Sequence, residues 1–176
     1  MNQSPLIIHA APDIEFVQEW NSIREDILRI EHACYEESLR YSEEEFLEDL
    51  HDNDARFFVL RAGGGIRGFV NVAPLHRLDY CAFDPHFLLE DTLYVVGIAV
   101  EPEYRNRGYA SLMLLHLMEM SGYSRFSAHA VGSVSKSMFI GSGFREEGIF
   151  PCWMGGHDAA YLVCERGGQV PAPEGC

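Results

Sequence analysis

Arg105-Asn106-Arg107-Gly108-Tyr109-Ala110 is the stretch of this 176-residue chain whose residue types and spacing point most directly to chemistry. It stands between an apolar run, residues 93–100, and a run of good helix formers, residues 111–120. A short polar loop between a buried strand and a helix brings unpaired backbone N–H groups, and the positive end of the helix dipole, onto an anion. Gly108 lets the backbone come close to a ligand, and Ala110 keeps the first helical turn slim. Phosphate is the guest this arrangement suits.

The elements that must position that loop can be read along the chain. Residues 6–10 read as a first strand. Residues 14–34 carry Ile14, Phe16, Val17, Trp20, Ile23, Ile27, Leu28, Ile30 and Ala33 close to helical spacing. A second helix opens at Ser42, an N-cap with Glu45 completing a capping box. Strands at 56–61 and 66–72 flank Gly63-Gly64-Gly65, a hairpin signal. Residues 76–90 form a loop longer than a turn requires. Residues 125–131 read as a strand, 133–141 as a short helix ending at Gly141-Ser142-Gly143, and 144–150 and 159–165 as closing strands. The Gly/Pro-rich residues 167–176 are expected to be a disordered tail behind a single domain over 1–166.

Composition excludes several classes. Hydrophobic content of 47% and charged content of 23% are those of a globular protein. No apolar run approaches the roughly 20 residues that span a bilayer, and the N-terminus lacks the pattern of a secretory signal. Five cysteines without CxxC spacing read as reduced thiols of a cytoplasmic protein, and eight histidines without paired spacing predict no metal. A net charge of −14 disfavours nucleic acid as a partner. That charge would attract a cationic acceptor such as an amine, polyamine or basic peptide, although plain solubility accounts for it slightly better.

The loop resembles the acyl-CoA loop of the GCN5-related N-acetyltransferases, whose signature is Arg/Gln-x-x-Gly-x-Gly/Ala after a strand ending in valine. Gly143-Phe144 after the short helix matches a second part of that resemblance. Ile30-Glu31-His32-Ala33-Cys34, followed by Ser42-Glu43-Glu44-Glu45-Phe46, is similar to the ribosomal-protein N-terminal acetyltransferase branch. The resemblance implies an α+β fold of the acyl-CoA N-acyltransferase type, with a mixed, mostly antiparallel central sheet flanked by helices. It also implies acetyl-CoA as co-substrate and direct transfer of acetyl to a primary amine in a ternary complex. A non-catalytic acyl-CoA-binding module is the alternative. Oligomeric state stays open, a homodimer included.

On the donor side the resemblance assigns Ile98 and Val100 to backbone pairing with the pantetheine arm. It assigns Arg105, Asn106, Arg107, Gly108, Tyr109 and Ala110 to the pyrophosphate, and Ser135 to the approach of the arm. Amine transfer further needs the ammonium, with a pKa of ~10.4, to lose its proton. The family places an acid for this on the strand before the loop, yet residues 92–100 contain none. Its tyrosine on the short helix, which protonates the leaving thiolate, is replaced by Phe139. His129, taken with a pKa near 6.5, is a candidate base or else a strand histidine serving a backbone group. Tyr94, read as sharing a face with Val96, Ile98 and Val100, is a candidate on the acceptor side or a core tyrosine. Glu36, Glu37, Tyr41 and His76 are candidates for holding the amine. Cys152-Trp153, in the link between the last strands, either touches substrate or packs inertly.

Overall fold

The computed structural model describes residues 11–78 and 90–166. The strand expected at 6–10, most of the loop expected at 76–90, and the tail at 167–176 lie outside the described residues. One seven-stranded sheet holds the rest, in the order β1-β2-β3-β4-β5-β7-β6. Its strands are β1 (Asp13–Val17), β2 (Arg56–Ala62), β3 (Gly65–Pro74), β4 (Thr92–Val100), β5 (Arg125–Val131), β6 (Arg145–Met154) and β7 (His157–Glu165). Only β4 and β5 run parallel, and every other neighbouring pair is antiparallel. The helices are α1 (Arg24–Cys34), α2 (Glu43–Asp52), α3 (Tyr109–Met120) and α4 (Ser133–Gly141). This is the mixed sheet with flanking helices expected from the sequence.

Two apolar layers fix the helices to opposite faces. On one, Met113, Leu114 and Leu117 of α3 and Phe139 of α4 pack on Leu60, Val70, Val95 and Ala128. On the other, Ile23, Ile27, Ile30 and Phe46 bring α1 and α2 onto Phe57, Val59 and Phe69. Trp20, Phe46, Phe57 and Phe69 form a cluster of ring contacts with centroids 5.5–6.2 Å apart. Burying each such ring contributes on the order of 2–3 kcal/mol. The capping box at α2 forms in full, Ser42 taking the Glu45 N–H and Glu45 taking the Ser42 N–H.

The start of the chain differs from the helix expected over 14–34. Asp13–Val17 is an edge strand, and the helix begins at Arg24 after a 3-10 turn at Trp20–Ser22. Ile14 and Phe16 alternate with Asp13 and Glu15, a period of two that pairs with β2 and lets Glu15 meet Arg61 at 2.5 Å. The end of the chain differs as well. β6 continues to Met154, and the connection is the two-residue turn Gly155-Gly156, both with positive φ. Pro151, Cys152 and Trp153 are therefore a bulged part of β6, where the register shifts between Phe150 and Met154.

A second bulge shapes the middle of the sheet. β3 pairs Asn71 with Gly97 but Val72 with Val95, so Val96 is an extra residue in β4. An inserted residue reverses which side chains face which layer. Leu93 and Val95 lie with the α3 layer before the bulge, and Ile98 and Val100 lie with it after. Tyr94 packs instead with Ala73, Leu75, Leu78 and Val96. The expectation that Tyr94 shares a face with Ile98 and Val100 is thus corrected; it shares one with Val96 alone.

Candidate functional site

The bulge opens the sheet. β4 and β5 pair only from Thr92 with Arg125 to Val95 with Ala128, and beyond that point they part. A cavity of about 1220 Å³ fills the fork, walled by Val96 to Val100, His129 to Val131, α1, the loop before α3, the start of α4 and the β6 bulge. Glu101 N–H bonds to Arg67 O at 2.8 Å, so residue 101 faces β3. By alternation, the main-chain groups of Ile98 and Val100 turn away from β3 into the fork. The Ile98 carbonyl accepts the Tyr35 hydroxyl at 2.7 Å. The Val100 carbonyl accepts Arg105 Nε at 3.0 Å and the Cys34 thiol at 3.3 Å.

The loop before α3 is built on Glu101. This carboxylate is 6% exposed and forms ion pairs with Arg29 of α1 and with Arg67 of β3. A 3-10 turn, Pro102–Tyr104, follows, and the Arg67 and Arg107 guanidiniums stack over the Tyr104 ring at 5.0 and 5.1 Å. Asn106 and Gly108 have φ of 60° and 77°, and α3 begins at the next residue. Both left-handed residues stand directly ahead of the unpaired N–H groups that open α3. Arg105, Asn106, Gly108, Tyr109 and Ala110 line the cavity, as do Ile98, Val100 and Ser135. Arg107 is exposed and donates to Glu103 O at 2.9 Å, outside the cavity wall. Ser135 Oγ donates to Val131 O at 2.6 Å.

Tyr94 and His129 do meet. The Tyr94 hydroxyl lies 2.9 Å from His129 Nδ1, and both residues line the cavity. The β6 bulge lays Trp153 flat on the imidazole, with centroids 3.6 Å apart and planes at 12°. Phe150 and Tyr161 close the remaining sides at 5.0 and 4.8 Å. This burial pulls the His129 pKa down to about 3, far from the 6.5 taken for it above. The ring is neutral at physiological pH and too weak a base to deprotonate an ammonium. Phe139, where the resemblance expects a tyrosine, is buried against Phe144, with ring centroids 5.0 Å apart.

Of the residues expected to hold the amine, Glu36 and Tyr41 line the cavity, while Glu37 and His76 are exposed and lie off its wall. Glu36 Oε1 meets His157 Nε2 at 2.6 Å. A Cβ on Gly155 would stand 3.0 Å from Ser38, so the β6–β7 turn closes tightly on the α1–α2 connection. Sequence reasoning missed Glu31, Cys34 and Tyr35, all on the wall. Glu31 is 3% exposed, its Oε1 accepts the Tyr41 N–H at 2.9 Å, and desolvation raises its pKa to about 7. Residues 27, 30, 31 and 34 do fall on one helical stripe, but the residue type of Glu31 masked its place there.

The description "Acetyltransferase (GNAT) family" belongs to a family model that matches residues 20–129. Solved structures share the fold at low identity. The ribosomal-protein-S18-alanine N-acetyltransferase of Escherichia coli superposes with a TM-score of 0.69 at 17% identity, covering 92% of this chain and 98% of that one. GphF, a GNAT-like decarboxylase solved with isobutyryl-CoA, gives 0.68 at 16%, covering 87% and 98%. YncA of Salmonella typhimurium, solved with its cofactor acetyl-CoA, gives 0.66 at 14%, covering 95% and 100%. No curated protein matches the sequence.

Proposed function

This chain belongs to the acetyltransferase (GNAT) family and uses acetyl-CoA, and on that premise we propose that it acetylates a primary amine by direct transfer. When bound, acetyl-CoA supplies an acetyl group activated as a thioester. The observation that carries the reading is the fork itself: the unpaired N–H groups that open α3 at its mouth and outward-facing main chain at Ile98 and Val100, continuous with an acid-lined aromatic pocket. The residues present fit the donor. Arg105, Asn106, Gly108, Tyr109 and Ala110 hold its phosphates, Ile98 and Val100 pair with its arm, and Ser135 flanks the arm. Arg107 acts indirectly, through Tyr104.

On the acceptor side, Tyr94 and His129 act as a neutral hydrogen-bonded pair. The pair orients the amine nitrogen without taking its proton, because the imidazole is so weakly basic. Glu36 and Tyr41 favour a positively charged acceptor at the pocket wall, a class that includes peptide amines and small amines. Glu37 and His76, being off the wall, would meet only the distal part of a long acceptor. Free thiols at Cys34, Cys152 and Cys164 support a reducing compartment such as the cytoplasm.

Thermal denaturation with acetyl-CoA, CoA and ATP, followed by mass-spectrometric detection of acetylated amines, tests the reading. A ligand at a hundred times its Kd adds about 2.7 kcal/mol. Stabilisation by acetyl-CoA and CoA but not ATP, with transfer to at least one amine, is expected. Stabilisation by acetyl-CoA with no transfer would favour a non-catalytic acyl-CoA-binding module instead. Absence of stabilisation would sink the donor site.

A further inference from the structure

We propose that Glu31 is the catalytic base, receiving the proton that the acceptor ammonium must lose before it attacks the thioester. The proposal rests on the amine-acetylation reading above and fills the gap left by β4, whose residues Thr92–Val100 include no acid. Two acids line the cavity, and they differ in setting. Glu36 is more than half exposed and is engaged with His157. Glu31 is buried, faces the cavity from the last turns of α1, and is fixed by a hydrogen bond to one oxygen. Its position relative to the donor strand follows from Tyr35, four residues on. The Tyr35 hydroxyl donates to Ile98 O, and Glu31, Tyr35 and Ile98 line the same cavity. The carboxyl therefore opens on the same cavity as the segment of β4 to which the thioester arm is assigned.

Its surroundings suit the task. Burial disfavours the carboxylate, and Glu45 of α2 does so further. The Tyr41 N–H and the Arg40 guanidinium of the α1–α2 connection favour it. Cys34 at the end of α1 and Tyr35 just after it both ionise less readily than usual, so neither competes for the role. A carboxyl near neutrality accepts a proton and releases it again at physiological pH, as a base that turns over must.

The proton balance is complete. Glu31 takes one proton from the ammonium, freeing the nitrogen lone pair. The nitrogen attacks the thioester carbonyl carbon, the C–N bond forms and the C–S bond breaks. The second nitrogen-bound proton follows the sulfur as free thiol, and Glu31 returns the first to solvent.

The test compares wild type with Glu31→Gln, which keeps an oxygen for the Tyr41 N–H. The acceptors are spermidine and an alanine-starting hexapeptide, with hydroxylamine as an amine that already holds its lone pair at neutral pH. The expected result is a loss in kcat/KM of about 100-fold or more for the alkyl amines, with a much smaller loss for hydroxylamine. The acidic limb of the pH profile should vanish, while thermal stabilisation by acetyl-CoA is unchanged. An active wild type and an equally active Glu31→Gln with the same acidic limb would overturn the assignment of Glu31 alone. A wild type that binds acetyl-CoA yet acetylates none of the probes would overturn the amine reading and this proposal together.

Discussion

Replacing Glu31 by glutamine should stabilise the protein at alkaline pH, and by a predictable amount. The carboxyl titrates at about 7 in the folded chain, against an ordinary value of 4.5. Between those values the folded state keeps a proton that the unfolded state has released. The sign follows from linkage: where the unfolded state binds fewer protons, stability falls as pH rises. Each pH unit of that window weakens the fold by about 1.4 kcal/mol, so the full loss is about 3 kcal/mol.

His129 complicates the wild-type curve, because its pKa is depressed to about 3 and its contribution rises with pH over a partly overlapping window. The difference between wild type and Glu31→Gln cancels that contribution. Urea denaturation followed by circular dichroism at several pH values from about 4 to 8 measures the difference. The two proteins should converge near pH 4, and the variant should lead by about 3 kcal/mol near pH 8. Curves parallel across the range would refute both the raised titration and the burial argument beneath it.

Two further outcomes follow from packing. Gly68→Ala sets a Cβ 2.7 Å from Ala99 O and 3.3 Å from Met113 Cε, so it should lower stability by about 1–3 kcal/mol in urea titration; a change within about 0.5 kcal/mol would mean that β3 and β4 yield there. Trp153→Ala admits water to the imidazole, which favours its charged form. The His129 pKa, followed by NMR of the ring protons, should move up from about 3 towards 6.5; an unmoved value would mean that other walls keep it dry.

Much of the scaffold was legible in the chain. The strand expected at 125–131 and the helix at 133–141 appear as β5 (Arg125–Val131) and α4 (Ser133–Gly141), because each is bounded by residues with a local preference. The turn before α3 was legible for the same reason, since Asn106 and Gly108 tolerate left-handed backbone. The bulge at Val96 was not, because every side chain from Leu93 to Val96 is apolar and alternation leaves no mark of an inserted residue. Trp153 was placed in a link, whereas β6, an edge strand that tolerates Pro151, runs on through it. Glu31 was hidden by its type: an acid on a helix reads as solvated until a cavity is found beside it.

The ion pairs of Glu101 couple what the sequence keeps apart. Through Arg29 this carboxylate grips α1 beside the loop before α3, and Tyr35, the first residue after that helix, reaches the Ile98 carbonyl. From Arg29 to the end of α1 at Cys34, at 1.5 Å per residue, that is a helical span of about 7.5 Å. A helix so short and so well anchored transmits displacement instead of absorbing it. If a donor binds the loop and an acceptor the pocket, whatever one does to the affinity of the other must be returned by the same factor. The two substrates of this chain are therefore expected to bind as thermodynamic partners, with α1 as the lever between them.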